Sequence, residues 1–190
     1  MPDTLNNGLI FLISTVFDIY LFILIARVLL VWAGASYYDP ISQFVIKLTS
    51  VIVNPIRKII PNVKNIEMAS LVLILILEVI KFLLISTLTI GMPTIVGLIV
   101  LSFGDTLKLI IQCFFYAILL QAIMSWVQPY SPVNQLLFRI TAPIMRPIQR
   151  VIPPIGGFDI SPIPAMIGLQ FLLIILVNPI MSLGLGLAFR

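Results

Sequence analysis

Four ionisable side chains interrupt otherwise apolar stretches of this chain, and any chemistry would begin with them: Asp18, Arg27, Glu78 and Lys81. A central Asp, Lys or Arg in hydrocarbon costs roughly 2.5–3.5 kcal/mol on insertion scales. Each therefore needs a partner, a wet cavity or a task. Glu78 and Lys81 are three residues apart, share a helical face and can pair. Asp18 and Arg27 are nine apart, on opposite faces of their helix, and cannot. By helical rise Asp18 and Lys81 fall at nearly one depth, while Arg27 lies nearer the other surface, within reach of Glu78 or of headgroups by snorkelling. Three readings stay open: a buried polar network that fixes helix orientation, an ion or proton pathway, or placement facing lipid or a partner.

Other chemistries lack their residues. The chain has no histidine, which removes histidine-ligated haem, most zinc and iron sites and any histidine general base. The single cysteine, Cys113, sits in an apolar stretch and makes neither an intramolecular disulfide nor a metal site. No cofactor is expected, and no nucleophile–base pair points to an enzyme. Thr94-Ile95-Val96-Gly97 and Gly184-Leu185-Gly186 lack the context of an ion filter or a nucleotide loop and read as helix packing or helix ends.

The elements that carry these residues belong to a membrane protein. Of 190 residues 61% are hydrophobic and 9% charged, and mean hydropathy is +1.19. Too few polar groups are available to cover a water-facing surface, where about 25% charged residues are usual. Four segments reach the roughly 20 apolar residues that a span requires: 8–33, 68–90, 102–127 and 160–188, with 94–101 able to extend the third and Asn178-Pro179 to kink the fourth.

The spans form two tandem copies. Tyr38–Pro61 set beside Tyr130–Pro153, at an offset of 92, gives nine identities in 24 positions, among them Pro40/Pro132, Pro55/Pro147 and Pro61/Pro153, with Thr49/Thr141. Lys47/Arg139, Lys58/Arg150 and Glu67/Asp159 keep charge, and an offset of 94 aligns Trp32 with Trp126. The expected fold is an all-α membrane protein of four transmembrane helices in two parallel tandem repeats, each helix–interfacial amphipathic helix–helix. The first repeat covers 1–90, a linker 91–101 and the second repeat 102–190. In the first helix Asp18 maps to Gln112 and Arg27 to Gln121; in the second Glu78 maps to Gln170 and Lys81 to Leu173. Amides at those places suit faces turned toward the bundle interior or the other repeat, where they can hydrogen-bond the ions of the first copy.

The connections, 40–61 and 132–153, pair apolar faces (Ile41, Phe44, Val45, Leu48, Val51, Ile52; then Val133, Leu136, Leu137, Ile140, Ile144) with basic residues. Pro40 and Pro132 suit a first helical turn, Pro55 and Pro147 a stop or kink; Pro143 in place of Val51 is expected to end or bend the second helix a turn early. Lys47, Arg57, Lys58, Lys64, Arg139, Arg146 and Arg150 would face anionic headgroups, with Trp32 and Trp126 where spans meet the interface. The N-terminal tail and 89–101 have no Lys or Arg, so the connections are expected in the cytoplasm and both termini outside, with Lys108 and Arg190 weakly opposed. Such segments brace the bundle on lipid, dock a partner, or re-enter to line a pore. A net charge of +4 without interleaved stacking aromatics does not suit nucleic acid.

Asn54-Pro55-Ile56-Arg57-Lys58-Ile59-Ile60-Pro61, Arg146-Pro147-Ile148-Gln149-Arg150-Val151-Ile152-Pro153, Met124-Ser125-Trp126 and Gly156-Gly157-Phe158-Asp159-Ile160-Ser161-Pro162 resemble the YggT family of small bacterial inner-membrane proteins over nearly the whole chain. The first repeat departs from the last motif, with Glu67-Met68-Ala69-Ser70. The resemblance implies a polytopic protein without assigned enzymatic activity, linked in bacteria to osmotic-stress tolerance and cation homeostasis and in plastid relatives to cytochrome assembly and nucleoid distribution. That spread implies a scaffold or assembly role, with a membrane-protein partner or a second copy; a cation transporter or channel is the alternative.

Overall fold

The computed structural model describes residues 2–35, 39–63, 66–89, 91–152 and 159–189. Tyr38, Lys64, Pro153, Arg190 and the Gly156-Gly157-Phe158 stretch lie outside them. Helix α1 (Pro2–Trp32) is followed by α2 (Pro40–Arg57), α3 (Met68–Thr89), α4 (Ile95–Val127), α5 (Pro132–Val151), α6 (Pro162–Leu172), a π-helical turn (Leu173–Val177) and α7 (Asn178–Ala188). Among the described residues four stretches are long and apolar enough to cross a membrane: Thr4–Trp32, Met68–Thr89, Ile95–Val127 and Pro162–Ala188. The two-repeat, all-helical membrane architecture is as expected.

The third span starts at Ile95, so 95–101 is the first two turns of α4 and not a linker. Thr94 caps it: its hydroxyl oxygen accepts from Gly97 N at 3.2 Å and donates to Leu187 O at 2.7 Å, tying the start of α4 to the end of α7. The fourth span widens into its π turn just before Pro179, which lacks the N–H that the Ile175 carbonyl would receive. Gly34, at φ 64°, closes α1: Ala35 N donates to Leu30 O and Gly34 N to Val31 O, a pairing that needs the left-handed residue.

The expectation that Pro143 shortens the second interfacial helix fails; α5 runs on to Val151, through both Pro143 and Pro147. The two prolines are four apart and both face outward, so the carbonyls they leave unpaired, those of Arg139 and Pro143, lie on the exposed side. Pro55 likewise lies inside α2 rather than ending it at once. Pro40 and Pro132 open their helices, and Pro61 follows α2.

Helix α2 has three faces. Ser42, Val45, Thr49 and Val53 are buried against the bundle, Phe44, Leu48, Val51 and Ile52 stay exposed, and Gln43, Lys47, Asn54 and Lys58 fill the third side. A helix so divided fits the membrane surface, with protein, lipid and water each meeting one face. In α5 the counterparts of Phe44 and Leu48, Leu136 and Ile140, are buried instead.

The packing that positions the charged residues is asymmetric. Helix α1 packs on α2, α3, α4 and α5; α3 also packs on α2 and α4; α4 packs on α5, α6, the π turn and α7. One buried cluster centres on Leu21, Leu24, Ile25, Ile74, Leu109 and Cys113, the other on Ile118, Met145, Leu169 and Val177. Phe22 and Tyr116, edge to face at 5.9 Å, join α1 to α4.

Candidate functional site: two ionic clusters and a basic face

Lys81, on the α3 face turned to α1 and α4, meets three carboxylates. Its Nζ lies 2.9 Å from Asp18 Oδ1 on α1 and 2.7 Å from Glu78 Oε2 one turn back, and it hydrogen-bonds Asp105 Oδ2 on α4. Asp105 Oδ1 takes a second ammonium, Lys108 Nζ, at 3.1 Å. Glu78 is fully buried, and although its Oε2 touches the ammonium, neither of its oxygens has an aligned hydrogen-bond donor among the described residues. Ser102, one turn before Asp105, is buried with its hydroxyl equally unmatched. Asp18 and Lys108, with side chains 42% and 40% exposed, form the open side of the cluster. With all five groups ionised it carries one net negative charge, inside helices that cross the membrane.

Arg27 does not join this cluster, and the expected reach to Glu78 is corrected. It turns to Glu67 at the start of α3, where Nε and Nη2 donate to the two carboxylate oxygens at 2.6 and 2.9 Å. Its Nη1 donates to Thr49 Oγ1 on α2 at 2.8 Å, and that hydroxyl passes its own proton to Val45 O at 2.6 Å. Ser70 Oγ adds a bond to Glu67 Oε2 at 2.6 Å, and Arg57 Nη1 approaches Oε1 at 3.8 Å. Burial raises the Glu67 pKa; the hydrogen bonds from Arg27 and Ser70 and the charges of Arg27 and Arg57 lower it by more, so its carboxyl titrates below the usual glutamate range. Asp18, Arg27, Glu78 and Lys81 therefore divide between two separate clusters.

The second repeat builds the same clasp from amides. Gln121, the counterpart of Arg27, hydrogen-bonds Thr141, the counterpart of Thr49, and Thr141 Oγ1 lies 2.9 Å from Leu137 O. Gln149, the counterpart of Arg57, donates to Asp159 Oδ2 at 2.8 Å, and Asp159 Oδ1 accepts Ser161 N at 2.9 Å. A glutamine is too short to span both partners as Arg27 does, so one network becomes two. In each copy the interfacial helix is held to the span before it and to the span after it.

The other amides take no part in the ionic clusters. Gln112 is half-buried, and Gln170, expected inside, is exposed on α6 beside Phe115, Met166, Ile167, Phe171 and Ile174. The residues that sequence reasoning missed as partners are Thr49, Glu67 and Ser70, and Asp105 as a partner of Lys81.

The basic side chains face outward: Lys47, Arg57 and Lys58 on α2, and Arg139, Arg146 and Arg150 on α5. Trp32 and Trp126 stand in the last turns of α1 and α4. Between α1 and α5 an open recess of about 340 Å³ is lined by Trp32, Ala33, Arg139, Ala142, Pro143 and Arg146. Two guanidiniums and an indole around one recess suit an anionic headgroup. Among the described residues no cluster of three metal-ligating side chains with metal-site spacing occurs.

A family model described as CCB3/YggT matches residues 6–88 and again 98–180, two segments that start 92 residues apart. The chain belongs to the CCB3/YggT family. It is 40% identical to the uncharacterized protein YggT of Escherichia coli strain K12 over 159 residues, 82% of each chain. It is 38% identical to an uncharacterized protein of the proC 3' region of Vibrio alginolyticus over 168 residues, 87% of this chain and 91% of that one. An uncharacterized protein of Pseudomonas aeruginosa PAO1 is 34% identical over 178 residues, 92% of this chain and 90% of that one. No solved structure matches. The family's repeat coincides with the clasp: each matched segment contains one interfacial helix and the groups that hold it, Arg27, Thr49 and Glu67 in the first and Gln121, Thr141 and Asp159 in the second.

Proposed function

We propose that this protein is a non-enzymatic scaffold or assembly protein of the bacterial inner membrane, which uses α2 and α5 to hold anionic headgroups and to gather membrane partners. The observation that carries this reading is the double clasp on each interfacial helix. Ordering an exposed helix against a bundle with buried charge-assisted bonds is costly, and it fixes where the basic side chains stand. The Lys and Arg bias supports a cytoplasmic position for this face, with both termini outside. Osmotic stress and cation homeostasis are the cellular settings in which loss of such a scaffold would be felt. The test is native mass spectrometry of the purified protein with phosphatidylglycerol. Arg139→Ala with Arg146→Ala is expected to lose the lipid most tightly retained by the wild type; unchanged retention overturns the reading.

The Lys81 cluster favours a second reading, cation passage. Neither Glu78 oxygen has an aligned hydrogen-bond donor among the described residues, and Asp18 opens the cluster toward its surroundings. Liposomes containing the protein would then pass cations, and Asp18→Asn would abolish the flux. A flux equal to that of empty vesicles rejects it.

A further inference from the structure

We propose that copies of this chain associate head to tail in the membrane, α1 of one copy seated in the groove between α4 and α6 of the next. The argument starts from how the two repeats of one chain are joined. Helix α4 packs on α3 and α1, and α5 also reaches α1. Repeats joined by a closed two-fold would add the reciprocal packing of α6 or α7 on α1, and of α2 on α4; neither is among the substantial helix contacts of the described residues. The junction is heterologous, and a heterologous junction leaves each of its two surfaces free once, at opposite ends.

Both free surfaces can be read residue by residue. The groove that α1 and α3 offer to α4 contains Leu21, Ile74 and Glu78, all fully buried. Their second-repeat counterparts are Phe115, Met166 and Gln170, and these line an open groove between α4 and α6. At the other end, Asp105, Leu109 and Cys113 of α4, buried in the junction, correspond to Phe11, Thr15 and Ile19 of α1, of which Phe11 and Ile19 are 67% and 58% exposed. Leu136 and Ile140, which share a recess with Leu29 and Leu30 of α1, correspond to the exposed Phe44 and Leu48 of α2.

Exposed apolar side chains alone would mean only lipid. Gln170 does not fit lipid. It lies eight residues, or about 12 Å, into its span, and an amide facing hydrocarbon gains by meeting another helix. It occupies the position whose first-repeat counterpart, Glu78, faces the ion cluster at the internal junction. A neighbour's α1 brings the Thr15 hydroxyl to the same face. The occupant is thus a second copy: the N-terminal half of its α1 carries Phe11, Thr15 and Ile19, the counterparts of the α4 residues that fill the equivalent groove inside one chain. This names a partner for the proposed scaffold and rests on that reading for its purpose, but its residues differ from the basic ones that the lipid assay reads, so either can fail alone.

The experiment mixes two tagged populations of the full chain in a Cys113→Ser background, one with Ile19→Cys and the other with Met166→Cys, in liposomes with a short bismaleimide. Mixed-tag dimers are expected, well above dimers formed within either population. Phe11→Cys with Gln170→Cys reads the same seat should the first pair disturb folding. Gln170→Leu in the first pair is expected to lower the mixed yield by about threefold, the scale of one interhelical hydrogen bond. Cross-links chiefly between identical variants would show a two-fold interface and overturn the proposal, as would an absence of cross-links with both pairs.

Discussion

Arg27 and Glu67, 40 residues apart, meet through two parallel hydrogen bonds of 2.6 and 2.9 Å with 4% and 1% of their side chains exposed. Through Thr49 the same guanidinium also holds α2. Removing one partner of a buried pair strands the other charge and costs about 3–5 kcal/mol. Arg27→Ala is expected to lower stability by that order in detergent denaturation. Arg27→Gln with Glu67→Gln, which brings the clasp closer to the amide form of the second repeat, recovers most of it, and a double-mutant cycle measures the coupling.

The same pair sets a pH dependence. A carboxyl whose folded pKa is depressed binds fewer protons folded than unfolded, so its stabilisation is complete above the ordinary glutamate pKa and is lost as the pH falls toward the folded value. Wild-type stability relative to Glu67→Gln should be flat above about pH 5 and shrink below about pH 4.3. A difference that grew on acidification would contradict the arrangement.

The repeat made much of this legible. Periodicity and proline spacing located four spans and two interfacial helices, because hydrophobic length and helix-start chemistry are local properties. The Thr49/Thr141 identity and the Glu67/Asp159 charge both mark clasp residues, yet spacing along one helix cannot tell which of two acids an arginine chooses. Arg27 turns to Glu67 because α2 and the start of α3 fold back against the end of α1, a tertiary fact. Asp105 was not legible as a partner of Lys81, since that contact depends on how α4 lies against α3. Pro143 misled because its effect depends on which face it occupies, and here that face is open.

Among the described residues, Lys81 is the one ammonium shared by Asp18, Glu78 and Asp105. Lys81→Met leaves Glu78 and Asp105 buried and facing each other, and is expected to cost about 3–5 kcal/mol. Adding Glu78→Gln and Asp105→Asn should restore much of the loss, which separates repulsion from packing. Asp18→Asn, on the open side, is expected to cost under about 1 kcal/mol. Thermal denaturation of the three variants and the wild type in one detergent checks the order.

The close approach of α4 and α7 rests on glycine. A Cβ on Gly97 would overlap the backbone of Ala188, and one on Gly184 would meet Leu101 at 2.9 Å, whereas Gly186 faces open space. Backbone cannot rotate aside as a side-chain tip can, so Gly97→Ala must push the helices apart. The expected loss is about 1–3 kcal/mol, typical of overpacking. It should loosen the Thr94 bond to Leu187 as well, exposing the start of α4 to hydrogen exchange. Gly186→Ala removes only unfolded-state freedom and is expected to be neutral or to stabilise by up to about 1 kcal/mol. Equal effects at the two glycines would mean that α4 and α7 do not pack through Gly97.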